Sequence, residues 1–139
     1  DHFSEKDSHV IPGLIFGMEK AKQNKEPNFS VWGTGTPKRE FLHVDDLASA
    51  IHFIAENNIS EDILNVGSGD EVTISELVKK IKNIVGFKGD ILFDKSMPDG
   101  NPRKLLDSSK LNSLGWSKEI ELDTGLTQTY DWFRKNILN

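Results

Sequence analysis

The residues whose types and spacing suit them to chemistry are His9, Trp32, Arg39, Asp99 and Lys104. Trp32 and Arg39 flank the stretch Gly-Thr-Gly-Thr-Pro-Lys at 33–38. A strand–turn–strand reading of that stretch makes them neighbours on adjacent strands. An indole beside a guanidinium gives a flat apolar wall next to a forked donor, which suits a nucleobase or a sugar carrying a diphosphate. A surface cation–π pair fits the same spacing equally well. Pro98-Asp-Gly-Asn-Pro-Arg-Lys104 puts an acid and two bases in a loop stiffened by two prolines. Such a loop has little ordering entropy to lose on binding, so Asp99 can accept from a sugar or base while Lys104 or Arg103 meets a phosphate. A charged surface turn is the commoner use of such a segment. His9 stands directly before a predicted helix, a place that suits a proton shuttle, although most single histidines have no such role.

Two G-x-G stretches, Gly33-Thr-Gly35 and Gly67-Ser-Gly69, lack the third glycine that opens the helix of a dinucleotide fingerprint, and each reads first as a tight turn. No histidine–carboxylate spacing supports a metal, and there is no cysteine for a thiolate site or a disulfide.

The elements that must position these groups alternate between strand and helix, which makes the class α/β with a small sheet and several helices. Ile11, Leu14, Ile15 and Met18 recur at helical spacing behind His9. Strands are expected at 29–32 and 39–44, with Asp45 capping a helix that carries Leu47, Ala50, Ile51 and Ile54, and Asp45 and Asp46 adding charge at its positive end. Ile63 to Val66 reads as a short buried strand. Thr73 and Glu76 form a capping-box pattern before Leu77, Ile81, Ile84 and Val85, and Gly86 stops that helix. A further strand is expected at 91–93. Asp107 then opens a short helix ending near Leu114 and Gly115, and Asp123 precedes a last amphipathic helix through Leu126, Tyr130, Phe133 and Ile137.

At 139 residues the chain is about one domain long. With 36% hydrophobic and 28% charged residues it reads as globular. A formal charge of −5 argues against a broad nucleic-acid surface, yet leaves room for a small anion held by a few local cations. No run reaches the ~18 apolar residues of a membrane span, and the polar start lacks a signal peptide's apolar centre, so a cytoplasmic location is expected.

Taken together, SHVIPGLI, VWGTGTPKREFLHVDDLA, ILNVGSGDEVTISEL and FDKSMPDGNPRKLLD resemble the carboxyl-terminal part of the GDP-L-fucose synthase family, extended short-chain dehydrogenase/reductases acting on nucleotide sugars. The resemblance runs over essentially the whole chain. It implies residues 1–139 as the substrate-binding portion, with about 45–68 completing a cofactor-binding Rossmann half that is absent. The implied reaction converts GDP-4-keto-6-deoxy-D-mannose to GDP-L-fucose by epimerisation at C3 and C5 and NADPH reduction at C4. His9 corresponds to the family's epimerase acid–base, working with a cysteine close to the nicotinamide. Trp32, Arg39, Asp99 and Lys104 correspond to contacts with the GDP-sugar. The departures are also specific. The glycine-rich loop, the Tyr-x-x-x-Lys pair and the cysteine are missing, and Phe16-Gly17 stands where a basic residue is usual, leaving Lys20 or Lys22 to compensate. The implied state is a fragment inactive alone, holding no NADP(H) tightly, whose complete enzyme is a homodimer. Another nucleotide-sugar epimerase or dehydratase of the superfamily, and a free-standing sugar-nucleotide-binding module, are the alternatives.

Overall fold

A computed structural model describes residues 2–4 and 7–138 of the chain. Helix α1 (Val10–Gln23) starts at His9, whose extended backbone makes it the N-cap, and Pro12 sits in the first turn, where a missing N–H costs nothing. Strand β1 (Asn28–Trp32) runs back along α1. The two approach closely at Gly17, where a Cβ would lie 2.7 Å from the Phe29 ring. The Phe16-Gly17 pair is therefore a packing solution: Gly17 admits Phe29, and Phe16 meets Phe133 edge-on at 6.4 Å. Lys20 and Lys22 lie in the last turn of α1, and Lys22 Nζ is engaged by Glu19 at 3.1 Å and by the Val85 carbonyl at 2.9 Å.

Strand β2 (Lys38–Glu40) leads into α2 (Val44–Glu56). A short β3 (Glu71–Thr73) runs into α3 (Ile74–Val85). Thr73 Oγ1 accepts from the Glu76 N–H at 3.1 Å while the Thr73 N–H donates to Glu76 Oε2 at 2.8 Å, the expected capping box, and the helix stops at Gly86. Strands β4 (Asp90–Asp94) and β5 (Arg103–Lys104) and helices α4 (Ser109–Ser113) and α5 (Leu122–Asn136) complete the chain.

The expected hairpin does not form. β1 pairs in parallel with β4, Trp32 opposite Asp94, while β2 lies in a separate three-stranded sheet ordered β3-β2-β5. Trp32 and Arg39 are thus not cross-strand neighbours. Arg39 lies opposite Val72 on one side and Lys104 on the other. β2 also ends at Glu40 rather than running to Val44, because His43 caps α2: its Nδ1 accepts from the Asp45 N–H at 3.3 Å. The cap is the histidine, not Asp45. Asp46 is buried, its two oxygens accepting from the N–H groups of Glu119 and Ile120 at 3.0 Å each, so it anchors a distant loop. Ile63–Val66 forms no strand, since no neighbouring strand offers it a ladder.

The core lies among α1, α3 and α5, with α3 packed against the other two. Ile15, Met18, Leu77, Val78, Ile81 and Phe133 are almost wholly buried. A smaller cluster of Ala50, Leu111 and Trp116 sits under α2. Ile51 is 60% exposed, whereas Ile54, Leu64 and Val66 are half-buried against that smaller cluster. The open face of α2 is Val44, Leu47 and Ile51, with Ile63 nearby in sequence at 80% exposure. Among the described residues, no helix is long and apolar enough to cross a membrane.

One buried polar group ties the three core helices. Glu19 on α1 accepts from the Tyr130 hydroxyl at 2.7 Å, and from Lys22 Nζ, which also donates to the Val85 carbonyl at 2.9 Å. Burial by itself raises the Glu19 carboxyl, but the bonds from Tyr130, Lys22 and Gln23 outweigh it and hold the group below the usual carboxylate range. A carboxyl lowered in the folded state contributes stability that is full above its unfolded pKa and lost as pH falls through its folded one. Glu19→Gln is therefore expected to lower stability by about 1–2 kcal/mol near neutral pH. In urea unfolding, that gap should narrow toward zero as the pH drops below the ordinary carboxylate range.

Candidate functional site

In a parallel pair both strands deliver the chain to the same end. β1 and β4 do this at Trp32 and Asp94, and the Gly33 N–H donates to the Asp94 carbonyl at 2.8 Å. The loops 33–37 and 95–102 therefore start side by side, beyond the carboxyl ends of the strands, where ligands of α/β sheets commonly bind. Because α1 runs antiparallel to β1, with Gly17 against Phe29, its N-terminal residue His9 reaches the same end. His9 is exposed there, and the Trp32 side chain is 69% exposed.

The two loops are latched together. Asp99 Oδ1 accepts from the Thr34 N–H at 2.6 Å and Oδ2 from the Thr34 hydroxyl at 2.7 Å. These bonds, the backbone one foremost, hold the Asp99 carboxyl below its ordinary range. The glycines make the latch possible. Gly33 and Gly35 have φ of 81° and 77°, and a Cβ on Gly33 would strike the Asp99 carboxylate. The Gly35 and Pro37 carbonyls then accept from the first N–H groups of α3, Ser75 at 2.8 Å and Ile74 at 2.9 Å, so the loop is fixed on both sides.

Arg39 and Lys104 are register partners in the parallel β2/β5 pair, and their side chains leave the same face of the sheet. The Arg39 guanidinium donates to the Lys38 carbonyl at 2.7 Å, and a Cβ on Gly100 would lie 3.7 Å from it, which places it against the 98–102 loop. Among the described residues, neither Arg39 nor Lys104 has a carboxylate within ion-pair distance. The neighbouring cations are occupied on the other face: Lys38 and Arg103 both bind Glu71, at 3.0 and 2.7 Å.

Of the residues singled out by sequence, Trp32, Arg39, Asp99 and Lys104 thus collect around two latched loops, and His9 stands at the same end. The arrangement sets a guanidinium and an ammonium side by side on one sheet face and leaves an open aromatic face at the start of loop 33–37. In the two G-x-G stretches the Thr34 N–H is taken by Asp99 and the Gly69 N–H by Glu40 Oε1 at 2.7 Å. Among the described residues, no group of three or more His, Asp or Glu could hold a metal ion.

A hollow of about 750 Å³ lies elsewhere. Ile11, Phe41, His43, Leu122, Leu126 and Trp132 line it, and none of the five sequence candidates does. It is apolar, and Val44 joins it to the open face of α2. Sequence reasoning missed His43, Asp46 and Glu71. His43 and Asp46 were legible as polar residues at a helix start, but the His43 ring packs against Gly125 of α5, the Asp46 donors lie in the 119–120 backbone, and Glu71 acts only once β2, β3 and β5 are aligned.

A family model described as the NAD dependent epimerase/dehydratase family matches residues 1–67. The chain is similar over its whole length to GDP-L-fucose synthases. The chain is 51% identical over 139 residues to GDP-L-fucose synthase 1 of Arabidopsis thaliana, covering 100% of the chain and 43% of the relative. To the GDP-L-fucose synthase of Escherichia coli (strain K12) it is 45% identical over 147 aligned residues, covering 98% and 45%. A crystal structure of a GDP-L-fucose synthetase from Naegleria fowleri bound to NADP superposes with a TM-score of 0.90 at 29% identity, over 100% of this chain and 44% of that one. The chain thus spans less than half the length of these relatives.

The latch is open to direct test. Gly33→Ala is expected to displace Asp99 and expose the Thr34 amide, seen as faster hydrogen exchange at Thr34, with the capped amide of Glu76 in α3 unchanged. Asp99→Ala should give the same signature without new bulk.

Proposed function

We propose that this chain is the carboxyl-terminal, substrate-binding portion of a GDP-L-fucose synthase, an NADPH-dependent enzyme that epimerises GDP-4-keto-6-deoxy-D-mannose at C3 and C5 and reduces it at C4. The observation that carries the reading is Arg39 beside Lys104: two cations on one sheet face, without carboxylate partners among the described residues, with an exposed indole at the start of the loop that leads into β2. A diphosphate linking a flat base to a hexose has the complementary pattern. Arg39 meets one phosphate with paired N–H donors and Lys104 meets the other as a point charge. Trp32 supplies a wall for the base or sugar. Asp99 uses two of its roughly four lone-pair positions on Thr34 and keeps the remainder for a hydroxyl or base N–H.

His9, exposed at the same end, is the acid–base group for the sugar. The hydrogens on C3 and C5 flank the C4 ketone, so removing either leaves an enolate, and returning the proton to the opposite face inverts the centre. A second acid–base group is needed on that opposite face. In the family pattern it is a cysteine, which this chain lacks. That group, and hydride delivery to C4, fall to the portion of the enzyme that this chain does not span. The same portion covers the Val44, Leu47 and Ile51 face and the adjoining hollow, large apolar surfaces of the kind that proteins bury. Alone, the chain is inactive and binds the GDP-sugar weakly, and the complete enzyme is a homodimer.

The test joins the chain to the portion of the Arabidopsis relative that it does not span and follows wash-in of solvent deuterium at C3 and C5. His9→Asn is expected to slow wash-in by about 10²–10⁴-fold with little change in GDP affinity. Arg39→Ala is expected to weaken GDP binding by about tenfold or more while leaving the exchange rate of bound substrate near normal. Wash-in that survives His9→Asn, or GDP affinity indifferent to Arg39 and Lys104, would refute the assignment.

A further inference from the structure

Glu71 has no contact with the candidate ligand face, yet it is the residue on which the geometry of that face converges. β5 is a strand of two residues, too short to fix its own place. What holds it beside β2 is a set of bonds from the opposite face. Glu71, on β3, spans the central strand: Oε1 accepts from Lys38 Nζ at 3.0 Å and Oε2 from Arg103 Nε at 2.7 Å. Lys38 and Arg103 are themselves register partners, one residue before Arg39 and Lys104 respectively. Lys38 also donates its N–H to the Pro102 carbonyl at 2.9 Å and accepts from the Arg39 guanidinium. Glu40, opposite Glu71 in the β2/β3 register, adds a bond from the Leu106 N–H to its Oε2 at 3.0 Å. The Glu71 side chain is largely buried, and its bonds from Arg103 and then Lys38 keep its carboxyl below the ordinary range, so it stays charged at neutral pH.

We infer that Glu71 is a positioning residue for the anion site: by binding Lys38 and Arg103 together on the far face of the β3-β2-β5 sheet, it sets Arg39 and Lys104 side by side on the near face. This inference rests on the proposed role of those two cations in holding a nucleoside diphosphate, and it adds a residue that never touches the ligand. It also has an unusual sign. Removing a negative charge close to an anion site strengthens anion binding if only Coulomb's law acts. Loss of positioning weakens it, because two long side chains must then be ordered by the ligand itself.

The experiment titrates GDP into the 139-residue chain and into Glu71→Gln, Arg39→Ala/Lys104→Ala and the triple variant, by chemical-shift perturbation up to millimolar ligand, with amide hydrogen exchange on each protein. Glu71→Gln is expected to speed exchange at Lys38, whose N–H spans β2 to β5, and to leave Glu76 in the α3 cap unchanged. GDP affinity should fall about two- to tenfold, the scale of one or two side chains losing their order. The fall should vanish when Arg39 and Lys104 are already absent. Unchanged exchange at Lys38, unchanged or tighter GDP binding by Glu71→Gln, or an equal loss in the background lacking both cations would overturn the inference. If removing Arg39 and Lys104 does not alter GDP binding, or none is seen, the reading of the anion site fails, and the Lys38 exchange rate still decides whether Glu71 holds β5.

Discussion

The parallel register of β1 with β4 is the constraint on which the rest of the molecule depends. Five pairs, from Asn28 opposite Asp90 to Trp32 opposite Asp94, force both strands to release the chain at one end. Had β1 turned back on β2 as a hairpin, loop 33–37 would have been a local turn with nothing beside it. In the parallel arrangement it meets loop 95–102, more than sixty residues away, and the Asp99–Thr34 bonds become possible. The glycines that read as turn residues serve this contact between loops: an alanine at Gly33 would occupy the space of the carboxylate.

That one constraint divides what the sequence discloses from what it withholds. Helix α3 was legible throughout, because its signals are local: the Thr73/Glu76 box, apolar residues at helical spacing, and a glycine stop. α1 and β4 were legible for similar reasons. The pairing of β1 was not, since a short apolar stretch followed by two glycines looks the same whether its partner lies six residues on or sixty. The segment 63–66 shows the converse. Its apolar run is strand-like, but a strand is defined by its neighbour, and none is available here. Of the candidate site, residue types and the character of the 98–104 loop could be read directly. The supposed pairing of Trp32 with Arg39 gave way to Arg39 with Lys104, which no spacing argument reveals because β5 pairs across more than sixty residues.

The α2 side of the molecule follows a different logic from the α1–α3–α5 core. α2 buries only Asp46 and Ala50, and exposes Val44, Leu47 and Ile51. Its position is fixed by polar bonds more than by apolar burial. His43 caps it, Asp46 takes two N–H groups from the 119–120 backbone, and Ser49 Oγ accepts from the Trp116 indole at 3.0 Å. A buried carboxylate with two backbone donors is directional, so it holds the helix at a defined angle even while one apolar face stays open. Such a helix keeps a defined place while Val44, Leu47 and Ile51 stay exposed.

The electrostatics of the site arise by selection among cations rather than by abundance. The chain carries 22 acids against 17 Lys and Arg, so its overall field does not attract anions. Several carboxylates are spent locally, Glu71 on Lys38 and Arg103, Glu61 on Lys110, Asp123 on Lys80, and Asp70 with Glu121 on Lys118. An unpaired lysine on an exposed helix is of little use to a ligand, which must order it first. Arg39 and Lys104 differ because their backbones are adjacent rungs of one ladder, and because the acids near them face the other way. The alternation of a strand thus does the sorting: one face neutralises its charges internally, and the other keeps two of one sign within reach of a single anion.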